Sequence, residues 1–261
     1  MKQMEEIIKR SFSVQAENFE SPAMSFSKQE YLRDTRKAVG ASKTDLVLEV
    51  AAGTCVCGRD LADEAQHVVC LDLTPAMLAA GKREAEKQGK TNMTFLLGNA
   101  MDLPFLPDSF DIVISRLAFH HFPDVCRPMQ EMARVLKPGG KLVLIDMEAA
   151  EEQLRQTEDE IETLRDASHV KNLSREEMLH LFEGENIKVE QCKSARIPVS
   201  LDAWMQLTRT PQNVQSEIQM RMKAEIEGGA KTGFAPYQTG EGISFDQRWL
   251  FLLGRKLGQR N

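Results

Sequence analysis

Excess positive charge is missing from this chain: 33 Lys and Arg stand against 39 Asp and Glu, a formal net charge of −6. Neutralising nucleic-acid phosphates takes basic clusters, so nucleic acid is not expected as the main partner. Uninterrupted apolar runs of membrane-spanning length are also missing, and the leading MKQMEEIIKR has no signal-peptide apolar core. No membrane partner is expected. Cysteines are few and odd in number, five in 261 residues, with no C-x-x-C pair. Cys55 and Cys57 stand two apart in a small-residue stretch, poor geometry for a disulfide or a metal clip. The expectation is a reduced, cytoplasmic protein without a metal site. There are no internal repeats and no low-complexity tract. With 42% apolar and 28% charged residues, the chain can bury a substantial core as one large domain or one domain plus a cap.

What is present is concentrated in residues 45–72, DLVLEVAAGTCVCGRDLADEAQHVVCLD. Leu46, Val47, Leu48 and Val50 form an apolar run too short for a typical helix, which favours a buried strand. Ala51, Ala52, Gly53 and Thr54 let the backbone turn sharply and approach a ligand. A short helix follows, then a second strand from His67 to Leu71 that ends on Asp72. Glu49 and Asp72 thus sit at the ends of successive strands, which in an open parallel sheet face the ligand crevice. An acid about 20 residues past such a turn is placed to accept from ribose hydroxyls. A dinucleotide fingerprint, G-x-G-x-x-G, is absent: Ala51, Gly53 and Val56 occupy the glycine places. No P-loop lysine follows either, so the turn suits a nucleoside better than a polyphosphate.

This stretch resembles the first motif of class I S-adenosylmethionine-dependent methyltransferases, D-x-G-x-G-T-G. Glu49 matches the acid and Gly53-Thr54 the Gly-Thr pair, while Ala51 and Cys55 depart from the flanking glycines. Further on, Gly98-Asn99-Ala100 stands where the family carries G-D-A, with Asn99 in place of the acid that accepts from the adenine amino group. The amide carbonyl of Asn99 can accept the same bond without charge. Leu103-Pro104-Phe105 followed by Asp108-Ser109-Phe110-Asp111-Ile112-Val113 is a more specific mark of the family. The likeness is strongest over residues 45–147 and weak after 150. Within the family it is nearest to the small-molecule branch that includes the ubiquinone/menaquinone-biosynthesis C-methyltransferases (methyltransferase type 11).

The rest of the chain is read around that core. Residues 1–40 are expected as a helical N-terminal segment: Ile7, Ile8, Phe12, Ala16 and Phe19 recur at helical spacing, and Tyr31, Ala38 and Val39 suggest a second helix after the Ser21-Pro22 break. Phe12, Ala16 and Phe19 fit the F-x-x-x-A-x-x-F/Y pattern that, in related enzymes, folds over the cofactor; plain packing on the sheet is the alternative. Residues 41–150 form the cofactor-binding core. Thr74-Pro75 reads as a helix start with Thr74 as N-cap, running towards Gly89. Strands are expected over residues 95–97, 110–115 and 141–147, the last after a helix stopping at Lys137-Pro138-Gly139-Gly140, with Phe105 and Phe110 packing the sheet edge. Residues 151–261 hold a charged, mostly solvated helix over 151–165, a Ser174/Glu177 capping box, a strand over 187–199 and a last strand over 243–253. The resemblance implies an α/β, doubly wound, seven-stranded, mostly parallel Rossmann-like sheet whose last strand is antiparallel and inserted beside the sixth. A helical insertion at about 200–242 would cap the site.

The resemblance also implies the site residues. Glu49, Ala51, Ala52 and Gly53 line the methionine end of S-adenosyl-L-methionine, Asp72 binds the ribose, Leu73 and Met77 face the adenine, and Asn99, Ala100 and Met101 read its edge. Arg116 holds a cofactor or substrate carboxylate, or else pairs with a nearby acid. Histidine is the usual base near neutral pH. His169, in the polar stretch Leu164-Arg165-Asp166-Ala167-Ser168-His169, and His121 are the catalytic candidates, with surface solvation or family packing as their plain readings; His120 shares the second place. Asp146 either faces the crevice or bonds backbone. The expected function is methyl transfer to a small-molecule acceptor, with the acceptor, the atom methylated and the oligomeric state left open. The alternatives are a non-catalytic binding or scaffold protein and an NAD-linked oxidoreductase.

Overall fold

The computed structural model describes residues 2–20 and 29–258. The order is α1 (Lys2–Gln15), α2 (Gln29–Val39), β1 (Leu46–Val50), α3 (Val56–Leu61), β2 (His67–Asp72), α4 (Pro75–Lys87), β3 (Met93–Leu97), β4 (Phe110–Arg116), α5 (Cys126–Val135) and β5 (Leu136–Met147). Then come α6 (Glu152–Arg165), α7 (Arg175–Gly184), β6 (Ile187–Ser200), α8 (Leu201–Leu207), α9 (Gln212–Ile226), β7 (Tyr237–Thr239) and β8 (Gly242–Lys256). The Ser21-Pro22 break lies outside the described residues.

The sheet runs β3-β2-β1-β4-β5-β8-β6. Strands β1 to β5 are parallel to one another, and β8 is antiparallel to both β5 and β6. That is the doubly wound arrangement the resemblance implies. An eighth strand, β7, was not foreseen; it forms a short hairpin with β8. The alternation of side chains along a strand feeds two layers. Val47 of β1 joins Leu32 and Val39 of α2 and Leu61 of α3 on one face, whereas Leu48 and Val50 meet Met129 and Met132 of α5 on the other. The strand order reverses between β1 and β4, which opens a crevice at their carboxyl ends, where open α/β sheets bind ligands.

Five local expectations change. Strand β5 begins at Leu136 instead of residue 141: the Pro-Gly-Gly stretch is taken into the strand through an irregularity, with Gly139 in left-handed backbone at φ +78 and a register shift in the pairing with β4. Residues 201–226 form two helices, because Pro211 cannot donate to a continuing helix. The side chain of Thr74 makes no cap, so α4 starts from Pro75 alone, whereas Ser174 and Glu177 close a full capping box on α7. Phe105 and Phe110 pack edge to face at 4.9 Å, but β4 lies inside the sheet, between β1 and β5, so they are not at its edge. Helix α6 is also less solvated than its charge suggests, burying Glu158, Ile161 and Glu162. Trp204 and Met205 of α8 and Ile218 and Met222 of α9 join Ile161 of α6 in a third apolar cluster.

Candidate functional site

A cavity of about 80 Å³ sits at the carboxyl ends of β1, β2 and β4. The turn after β1 forms one wall. Ala51, Gly53 and Cys55 all adopt left-handed backbone, at φ 51, 54 and 60. The turn therefore keeps a glycine-like shape at the two places, Ala51 and Cys55, where its sequence departs from glycine. Open space surrounds the position where Gly53 would carry a Cβ, which leaves its backbone accessible from the cavity.

Two buried carboxylates brace the turn. Asp72, at the end of β2, accepts the Gly53 N–H and the Thr74 N–H, each at 2.7 Å, and burial pushes its carboxyl pKa up. Glu49 accepts the Gly58 N–H at 2.7 Å. Burial outweighs that bond and the nearby Arg116 and Arg59 charges, raising the Glu49 pKa to about 7. Gly58 has to be glycine, since a Cβ there would lie 2.7 Å from Glu49 Oε2 and 2.6 Å from Cys70 Sγ.

Asn99 and Ala100 line the cavity beyond β3. The Asn99 carbonyl accepts the Met101 N–H at 3.0 Å, and its amide donates to Glu5 Oε1 of α1 at 3.0 Å. Met101 is tied in by that bond without lining the cavity. Met77 does not line it either: it is fully buried on α4. Leu73 does line it, together with Ile8, Phe12 and Phe19 from the N-terminal segment. The rings of Phe12 and Phe19 are 6.4 Å apart. Residues 201–242 contribute nothing to the lining, so α1, not the late helical insertion, covers this cavity.

The exit of β4 supplies the remaining wall. Arg116 lines the cavity with its guanidinium 4.9 Å from the Trp249 ring centre. His121 also lines it, edge to face with Phe12 at 4.9 Å. Its Nδ1 lies 2.9 Å from the Ser168 carbonyl oxygen. A carbonyl can only accept, so Nδ1 carries the proton and Nε2 keeps its lone pair. Burial, then the neighbouring His120, lowers the His121 pKa to about 3, so the ring is neutral. Ser168 in turn donates to Asp166, which also takes Ser11 and Gln15 of α1 at 2.8 and 3.0 Å.

The other two candidate histidines stay out of the cavity. His120 pairs with Asp146 at 2.5 Å, and Asp146 also accepts the Ala118 and Phe119 N–H groups. Asp146 therefore has the backbone role that its sequence position allowed. His169 has a side chain 0% exposed, with Nε2 2.8 Å from Asp159. Neither a surface histidine nor a cavity residue, it is structural in its contacts. Sequence reasoning missed Glu5, which no periodicity marks.

Comparison with known proteins accords with this geometry. A family described as "Methyltransferase domain" matches residues 48–144. A protein of Bacillus subtilis (strain 168), uncharacterized methyltransferase YcgJ, is 31% identical over 212 residues, 80% of this chain and 84% of that protein. Its crystal structure superposes with a TM-score of 0.79 at 27% identity, over 88% of this chain and 99% of that one. The demethylmenaquinone methyltransferase of Listeria welshimeri is 37% identical over 117 residues, 44% of this chain and 50% of its own length.

Proposed function

Because this chain belongs to the methyltransferase family, we propose that its cavity receives S-adenosylmethionine and that the methyl group passes to a small-molecule acceptor. The observation that carries the site assignment is the Asp72 carboxylate, buried at the cavity wall and tied to the turn by the Gly53 N–H at 2.7 Å. Its remaining lone pairs accept hydroxyls of a ribose, and the bond to Gly53 fixes the turn against which the methionine end lies. Glu49 and Arg116 offer opposite charges for an ammonium and a carboxylate. Leu73 packs on the base, whose edge meets Asn99 and Ala100. Met77 and Met101 support this wall from behind.

The fit needs one movement. About 80 Å³ is well below the roughly 300 Å³ at the lower end of small-molecule sites. Phe12 and Phe19 swing outward with α1 to admit the nucleoside, then cover it.

The bound cofactor supplies an electrophilic methyl on sulfur. The protein's part is alignment and exclusion of water. Phe12, Phe19 and Phe122 keep the site apolar. Neutral His121, with Nε2 unprotonated, offers a hydrogen-bond acceptor to the incoming methyl acceptor. The free state of all five cysteines supports work in a reducing, cytoplasmic compartment.

The test is incubation with S-adenosylmethionine labelled in the methyl group, offered separately small-molecule, protein and RNA fractions. Label in the small-molecule fraction is expected. Label confined to a macromolecular fraction would overturn the small-molecule assignment.

A further inference from the structure

A second, larger cavity of about 600 Å³ opens on the sheet face formed by β5, β8 and β6, beside α2. Arg116 lines both this cavity and the first one. The first cavity's chemistry does not account for it. Its floor is aromatic and aliphatic: Trp249 and Phe251 of β8, Ile145 of β5 and Tyr31 of α2, with the Tyr31 and Trp249 ring centres 5.8 Å apart. Burial, then the Glu30 carboxylate beside it, raises the Tyr31 pKa.

The charge on the walls runs against that of the whole protein. Among the described residues, Arg116, Lys37 and Lys193 line the cavity against one acid, Asp34, which lies 4.0 Å from Arg33. The whole chain has a net charge of −6. An apolar ring-sized floor rimmed by cations selects a planar aromatic molecule bearing an anionic group: the rings supply stacking surface, and the guanidinium and ammonium groups supply charge-assisted hydrogen bonds.

We propose that this cavity is the methyl-acceptor site and that its ligand is an aromatic carboxylate or a similarly anionic aromatic. The acceptor role rests on the reading of the first cavity as the cofactor site; the ligand class does not. Arg116, 4.9 Å from the Trp249 ring centre, is common to both linings, so an anion held against it borders the cofactor cavity.

Calorimetric titration of the full chain with 2-naphthoate and with neutral 2-naphthamide tests this, with S-adenosylhomocysteine titrated in parallel. Lys193→Glu is the variant to use, because Lys193 is exposed on β6 and away from the first cavity. The acid is expected to bind at least tenfold more tightly than the amide. Lys193→Glu should erase most of that difference while leaving S-adenosylhomocysteine affinity and the melting temperature unchanged. Equal binding of acid and amide, no binding of either, or indifference to Lys193→Glu would overturn the assignment even if S-adenosylhomocysteine binds. Failure of S-adenosylhomocysteine alone, with the acid preference intact, would remove the acceptor role and leave an anionic-aromatic site.

Discussion

The amide of Asn99, at the exit of β3, donates a hydrogen bond to Glu5 of α1 across 3.0 Å. Asn99 stands where the resemblance puts an acid, and Glu5 returns a carboxylate to that corner from an element nearly a hundred residues away. The amide is what makes the pairing possible. An aspartate in its place would set two carboxylates against each other.

Asn99→Asp should therefore loosen α1, visible as faster hydrogen exchange of its amides, and weaken S-adenosylhomocysteine binding by roughly fivefold, the scale of one lost hydrogen bond of about 1 kcal/mol. Adding Glu5→Gln restores a donor to face the new acid and should recover both. Unaltered exchange in Asn99→Asp would show that the pair does not hold the helix.

Ala51 is held at φ 51, a conformation that strains an L-residue by roughly 1–2 kcal/mol and costs glycine nothing. Part of the gain from Ala51→Gly is offset by the greater freedom of the unfolded chain. A net stabilisation of about 0.5–1 kcal/mol is expected, near 2 °C in a thermal melt for a chain of this size. Cys55→Gly relieves the same kind of strain but removes a fully buried side chain, so it should lower the melting temperature.

Glu49 makes stability depend on pH. Its folded pKa of about 7 lies above the ordinary 4.5, so the native state holds more protons than the unfolded chain between those values. The stabilisation is present below about 4.5 and is lost as pH rises through 7, a few kcal/mol in all. His121, lowered to about 3, acts in the opposite sense, since the unfolded chain binds the extra proton below 6.5. Comparing wild type with Glu49→Gln by denaturant unfolding from pH 4.5 to 8 isolates the first effect: the difference should shift steadily until pH 7 and then level. Cofactor affinity should rise over the same interval if Glu49 binds the ammonium as a carboxylate. A flat difference curve would contradict the buried, proton-holding Glu49.

His169→Ala deletes a buried ring and its bond to Asp159, which keeps the Asn172 N–H of the two partners. A loss of about 2–3 kcal/mol is expected, with methyl transfer per folded molecule unchanged. Reduced turnover at full stability would return His169 to the acceptor site.

The core of the fold was legible because its signals are local. The short apolar run of β1 and its small-residue turn follow from side-chain period and backbone freedom, and Asp72 falls at the strand end by spacing alone. The corners of the site joined by distant residues were not legible. Nothing near Asn99 announces Glu5, and nothing near His121 announces that Ser168 fixes its tautomer. His169 and Met77 misled for the same reason: each has a plausible local setting, and only the packing puts one against Asp159 and the other inside α4. The late insertion looked like a cap because it is helical and lies between β6 and β8, yet its apolar face is spent on α6.

The most direct measurement is calorimetric titration of wild type and Asp72→Ala with S-adenosylhomocysteine, with NAD⁺ as the control. The account predicts micromolar binding to wild type, none of NAD⁺, and a loss of tenfold or more in the variant, whose melting temperature is monitored alongside. Equal affinity in the two proteins, or no binding to wild type, would contradict the assignment of this cavity to the cofactor.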